Sequence, residues 1–330
     1  MRLIKRLLLF ISLWAALMAA IVGYYATRPL PAPALPFEFS LKQGSSLKAA
    51  ARQMQEAGVL PNDSMFAWLG RVLGKSTQIK AGNYELEAGL TPRTLLVKLT
   101  RGEEALRSVT LVEGWSFKQV RAELLKAESL KPDSQGLEDR VIMEKLGQPG
   151  RHPEGRFYPD TYTYSKGSSD IKLLLRAMQA MDKHLLMAWQ ARAAETPLKS
   201  PDELLVLASI VEKETGQASD RPMIASVFIN RLRLGMLLQT DPTVIYGLGE
   251  RFDGNLRRRD LLADTPWKTY TRAGLPPTPI AMPGKASLMA AAQPVTSSAL
   301  YFVARGDGSS QFSDSLDAHN RAVNKYQRGP

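Results

Sequence analysis

Ser200-Pro201-Asp202-Glu203-Leu204-Leu205-Val206-Leu207-Ala208-Ser209-Ile210-Val211-Glu212-Lys213-Glu214-Thr215 reads as a helix that carries acid at the end of an otherwise apolar run. Ser200 suits the N-cap, Pro201 the first helical position and Glu203 the capping-box position. Leu204 to Val211 are apolar on most faces, which predicts burial. At about 100° per residue, Glu212 continues the stripe of Leu204, Leu205 and Ala208, while Glu214 projects with Glu203 on the opposite side. Helical phase therefore favours Glu212 as the inward acid. The alternative is a fraying, solvated helix end that both glutamates decorate beside Lys213. A carboxyl held against apolar surroundings can stay protonated near neutral pH and donate to a leaving group, the chemistry that breaks a glycosidic bond.

Around this helix the second half of the chain is helix-rich. Runs are expected at about 170–194, 220–234, 286–292 and 316–326, with a short strand at Leu300-Tyr301-Phe302-Val303-Ala304 and long, polar, proline-marked loops between. Residues 129–169 read as a loop-rich junction. Ahead of it a pattern recurs: a short strand, a glycine turn, a Ser or Thr cap and an amphipathic helix. Phe37–Leu41 leads to Gly44-Ser45-Ser46 and a helix over Leu47–Ala57. Tyr84–Leu86 leads to Gly89-Leu90-Thr91 and Pro92–Leu99, and Val109–Val112 leads to Gly114-Trp115-Ser116 and Phe117–Ala127. The fold class expected is α+β.

At the N-terminus, Arg2, Lys5 and Arg6 precede an uncharged run from Leu7 to Ala26, long enough to cross a bilayer core of about 30 Å. Tyr24 and Tyr25 close the run, and no small-x-small cleavage pattern follows it directly, so a retained span is favoured over a cleaved signal. The positive-inside rule keeps residues 1–6 in the cytoplasm and the rest outside. Residues 27–36, with Pro29, Pro31, Pro33 and Pro36, read as a stiff spacer that lifts the following region off the membrane. The chain has no cysteine, and His152, His184 and His319 show no ligand spacing, so neither a metal nor another cofactor is expected. A net charge of +11 suits nucleic acid, an anionic surface or an acidic polymer. The outward placement and the spread of the cations favour an envelope partner and disfavour nucleic acid.

Glu154-Gly155-Arg156-Phe157-Tyr158-Pro159-Asp160-Thr161-Tyr162, Ala208–Thr215 and Ala225-Ser226-Val227-Phe228-Ile229-Asn230-Arg231-Leu232 resemble, in that order, the endolytic murein transglycosylases, or YceG-like family. Leu238-Gln239-Thr240-Asp241-Pro242-Thr243-Val244-Ile245-Tyr246-Gly247, Gly274-Leu275-Pro276-Pro277, Leu300–Ala304 and His319-Asn320 extend the resemblance. It implies a single inner-membrane span (7–26), a LysM-like α/β region (37–128) and a catalytic domain over 170–330. It also implies endolytic cleavage between N-acetylmuramic acid and N-acetylglucosamine, leaving a 1,6-anhydro end, on glycan strands near peptidoglycan synthases of the penicillin-binding type. By the same resemblance Glu212 is the acid and then the base.

One carboxylate suffices for such a reaction because the substrate's own hydroxyl attacks. Gln239, Thr240, Asp241, Thr243 and Tyr246, with Asn230 and Tyr270, are the candidates to hold the sugar. Each also has a structural reading: an Asx turn for Asp241-Pro242-Thr243, a backbone-bonded amide for Asn230, core packing for Tyr246 and Tyr270. Lys268 and Thr278 depart from residues common in the family, and Lys268 is expected to reach the carboxylates of a peptide stem. Two alternatives stay open: a muramidase with Asp241 as second carboxylate, and a non-catalytic glycan-binding scaffold for synthases.

Overall fold

The computed structural model of the chain describes residues 2–31, 37–214, 217–262 and 264–328. Residues 32–36 of the expected spacer and Thr215 lie outside the described residues. The chain divides into two compact units, Met1–Arg107 with Tyr164–Gly167, and Ser108–Thr163 with Ser168–Pro330. The third strand–turn–helix repeat falls in the second unit, apart from the first two.

The first unit runs α1 (Arg2–Thr27), β1 (Phe37–Leu41), α2 (Leu47–Glu56), α3 (Asp63–Val72), β2 (Gly82–Leu86) and α4 (Pro92–Arg101). β1 and β2 pair antiparallel with Phe39 opposite Tyr84. Alternation does the sorting: Phe39 and Leu41 are buried while Ser40 between them is exposed. Ser46 caps α2, and Thr91 forms a capping box at α4, as the repeat predicts. Ala50, Met54, Phe66, Leu95, Leu96 and Leu99 fill the core beneath the sheet. Glu38 takes Arg107 at 2.6 Å and Lys166 at 2.9 Å, which ties residues 164–167 into this unit. α1 is long and apolar enough to cross a membrane over Ile4–Thr27. Its last turns do not stand off the unit: Ala26 belongs to the core, Val22, Tyr25 and Leu30 pack against it, and the Leu30 N–H donates to Leu90 O at 2.7 Å. The reason is an apolar stripe on the end of α1 that the unit covers.

The second unit opens on β3 (Leu106–Thr110), which pairs with β4 (Thr161–Ser165), and the division between the units passes through both strands. Between them lie α5 (Phe117–Lys126), capped by a Ser116 box, and α6 (Asp139–Lys145). Then follow α7 (Asp170–Gln190), α8 (Pro201–Glu214), α9 (Arg221–Arg233), α10 (Asp241–Leu248), α11 (Arg258–Leu262) and α12 (Lys285–Ala292). The hairpin of β5 (Tyr301–Ala304) and β6 (Ser310–Ser313) and then α13 (Leu316–Val323) close the unit. α8 is its axis, contacted by α7, α9, α10 and α12, with every residue from Leu204 to Val211 buried. Even Ser209 is satisfied internally, donating to Val206 O at 2.7 Å and accepting from Ile280 N at 3.0 Å.

Candidate active site

The cap of α8 forms as the sequence suggests: Ser200 Oγ accepts from Glu203 N at 3.2 Å, while Glu203 reaches back to Lys199 N at 2.7 Å. At the other end the structure departs from helical phase. Because α8 is buried throughout Leu204–Val211, phase alone does not single out an inward side, and Glu212 and Glu214 enter two different environments on either side of the exposed Lys213.

Glu212 points to the turn before α12, its side chain 6% exposed. Its Oε2 accepts from Gly284 N at 2.9 Å, and an Arg221 amine nitrogen lies 3.8 Å from Oε1. A guanidinium and a backbone N–H both stabilise a carboxylate's negative charge. Glu113 shares this corner: a Cβ placed on Gly284 would lie 1.8 Å from Glu113 Oε1. Burial, and then the charge of Glu212, push the Glu113 carboxyl above its ordinary range.

Glu214 turns instead into an open cleft of about 620 Å³, lined also by Arg231, Gln239, Asp241, Tyr270, Tyr301 and His319. Burial raises its pKa from 4.5 to about 7, against the opposing Thr240 hydrogen bond; Asp241 adds to the rise and Arg231 offsets part of it. Thr240 Oγ1 donates to Glu214 Oε1. The expectation that Glu214 projects away from the site is thereby corrected: the loop before α10 wraps over the end of α8 and encloses it.

That loop is held from three directions. Gln239, in the left-handed region at φ +50, donates its N–H to Thr269 O at 3.0 Å, and Thr240 N donates to Thr269 Oγ1 at 3.0 Å. Arg231, 8% exposed, donates to Leu237 O at 3.1 Å and Leu238 O at 2.8 Å, and its Nε to Leu300 O at 2.7 Å, joining the loop to the start of β5. Its guanidinium also lies 5.1 Å from the Tyr301 ring, on which His319 stacks at 5.2 Å. Tyr270 donates to Asp241 Oδ1 at 2.6 Å, and burial followed by Asp241 pushes the Tyr270 phenol up, so it remains a donor.

Of the sequence candidates, Gln239, Asp241 and Tyr270 line the cleft and Thr240 touches Glu214. Asn230, Thr243 and Tyr246 do not line it. Asn230 spends its amide on Ser297 O at 2.8 Å and Ala299 O at 3.0 Å. Thr243 is fully buried, bonded to Thr240 O and Thr269. Tyr246 sits edge-on to Trp267 and donates to Glu154 Oε2 at 3.1 Å. Lys268 is 1% exposed and does not face a substrate, contrary to the expected stem contact. Arg231, Tyr301 and Glu113 escaped the sequence reading; Arg231 sits in the quoted Ile229-Asn230-Arg231-Leu232 run, where an arginine amid apolar neighbours was a usable signal. Among the described residues no group of three acidic or histidine side chains is placed to hold a metal ion.

The model of the YceG-like family matches residues 39–325. The endolytic murein transglycosylase of Bacillus subtilis is 32% identical over 304 residues, covering 87% of this chain and 84% of that protein. That of Streptococcus pneumoniae strain R6 is 25% identical over 365 residues, and the match spans 98% of this chain but 65% of its relative. The crystal structure of a YceG-like protein from Listeria monocytogenes shares 30% identity with a TM-score of 0.55, over 86% of this chain and 98% of that one. A family match over nearly the whole length, with a Bacillus relative above 30% identity, places the chain in the YceG-like family.

Proposed function

We infer that the protein is an endolytic murein lytic transglycosylase in which Glu214, rather than Glu212, is the acid. The observation that supports this most is the position of Glu214: a desolvated carboxyl with a pKa near 7, opening into the cleft that Gln239, Asp241 and Tyr270 line. Glu212 instead accepts from the Gly284 N–H beside Arg221 and does not line that cleft.

In the reaction Glu214 gives its proton to the glycosidic oxygen as the bond from muramoyl C1 to that oxygen breaks. The muramoyl C6 hydroxyl then attacks C1, and its proton passes to the Glu214 carboxylate, which restores the acid. No water is consumed, and the product is a 1,6-anhydro end. Asp241, steadied by Tyr270, and the dipoles of Gln239 and Thr240 are suited to stabilise the oxocarbenium-like ring. Supporting the murein substrate are the names of the Bacillus and Streptococcus relatives. The β1–α2–α3–β2 order of the first unit, with its antiparallel pair, suits a LysM-like glycan-binding role. α1 would anchor the chain in the inner membrane with the second unit outside, where strands leave the synthases.

Digestion of purified glycan strands with the full chain tests the reading through product mass. Anhydro ends, one water lighter than reducing ends, are expected. Reducing ends would make the enzyme a muramidase with Asp241 as second carboxylate, and binding without turnover would make it a scaffold.

A further inference from the structure

The cleft beside Glu214 is bounded by one whole strand. Tyr301, Phe302, Val303 and Ala304, all four residues of β5, line it. Side chains of neighbouring strand residues point to opposite faces, so a cleft touching all four, and Ser310 of β6 as well, takes in the edge of β5. β5 has one partner, β6, in a two-stranded sheet. The register and the Arg305 N–H to Ser309 O bond of 2.9 Å fix the parity of the ladder. Bonded pairs alternate, so Tyr301 and Val303 direct their backbone groups to β6, and Phe302 and Ala304 direct theirs outward. Among the described residues no hydrogen bond reaches these outward groups.

A second observation lies on the α13 wall of the same cleft. His319 Nδ1 is shielded from solvent and has no hydrogen-bond partner among the described residues. Burial lowers the pKa of this imidazole, so it is neutral near pH 7, one nitrogen accepting and the other donating. A buried polar atom without a partner is costly unless a ligand supplies one.

We propose that the free edge of β5 binds an extended peptide by strand addition, Phe302 and Ala304 pairing with its main chain and His319 receiving one of its polar groups. This rests on the murein reading. Murein carries a short peptide on the lactyl group of the same muramoyl residue whose C1 reacts, so a glycan seated at Glu214 brings its peptide alongside. Main-chain pairing is indifferent to side chains, and pockets beside the strand would set any preference. The enzyme would then select peptide-bearing strands over stripped ones.

The test measures binding, so it does not depend on turnover. Full-length Glu214→Gln protein is titrated calorimetrically with a muramoyl disaccharide carrying a stem tetrapeptide and with the same compound N-methylated at the peptide amides. The expected result is at least a tenfold weaker Kd for the N-methylated compound, about one to two main-chain hydrogen bonds. Equal affinity for the two compounds overturns the proposal, whether or not the unmutated enzyme cleaves murein. Discrimination between them in a protein that cleaves nothing would uphold the peptide site and sink the transglycosylase reading. As a second arm, Ala304→Pro removes an outward N–H but no bond to β6, a position where an edge strand tolerates proline. It should cut the preference for peptide-bearing over stripped strands about tenfold; an equal loss on both substrates counts against pairing at this edge.

Discussion

Glu214 and Glu212 stand two residues apart and meet different neighbours, which makes them separable by substitution. Glu214→Gln removes the group that both gives and takes the proton in the proposed mechanism, and cleavage should fall about a thousandfold with the fold intact. Glu212→Gln still accepts the Gly284 N–H, and activity should stay within roughly tenfold of the unmutated enzyme. Release of anhydro-muropeptides from defined strands measures both, and the reverse ranking would return the acid to Glu212. The acid form of Glu214 prevails below about 7, so kcat/KM should decline as pH rises through that value.

Glu154 offers a stability counterpart outside the cleft. It is 3% exposed, accepts from Phe117 N at 3.0 Å and from Tyr246, and burial raises its pKa from 4.5 to about 7. A raised folded-state value means the stability it contributes is fully present below 4.5 and lost as pH rises through about 7. Glu154→Gln, neutral at every pH, should therefore gain about 3 kcal/mol over the unmutated protein at pH 8 and nothing near pH 4. Urea unfolding at the two pH values checks it; a gain of equal size at both would mean the carboxyl does not titrate in this window.

At the scale of elements, the turns are where single residues matter. Gly155 has φ +78, a region that favours glycine, and a Cβ there would lie 2.5 Å from Pro279. Gly155→Ala should cost about 2–4 kcal/mol, from the strained backbone and the displaced proline ring together. A thermal melt shows this as a lowered Tm, and an unchanged Tm would mean that the 279 loop yields freely. The short-range devices were legible in the sequence. Ser46, Thr91, Ser116 and Ser200 cap the helices they precede, because capping needs only a hydroxyl and the next turn of backbone. What was not legible was which side of α8 faces solvent. Helical phase assumes burial on one side, and Leu204–Val211 of α8 are covered by α7 and α9 on either side of it in the chain and by α10 and the distant α12. For the same reason Asn230 read as a sugar ligand, though its partners are carbonyls nearly seventy residues later. The pairing of β5 with β6, and with it the free edge, needs a register that no local pattern states.

At the scale of the molecule, α1 is long and apolar enough to cross a membrane and its end also belongs to a core, which its composition alone does not reveal. A span needs only apolar residues, yet Ala26 is 6% exposed within the core of the first unit, with Val22, Tyr25 and Leu30 packed against it. A chain beginning at Phe37 would therefore lose part of that core along with the apolar helix. Removing these contacts should cost the first unit about 2–4 kcal/mol at roughly 25 cal/mol per Å² of apolar surface. The second unit has its own core around α8, to which none of these residues contributes. Amide hydrogen exchange on the truncated chain should accordingly show weaker protection in β1, β2, α3 and α4, with protection in α8, α9 and α12 retained. Cleavage of short glycan fragments, whose proposed acid and cleft lie in the second unit, should survive the truncation. Uniform loss of protection across both units would mean that they fold as one cooperative body, and that the end of α1 supports the second unit as well as the first.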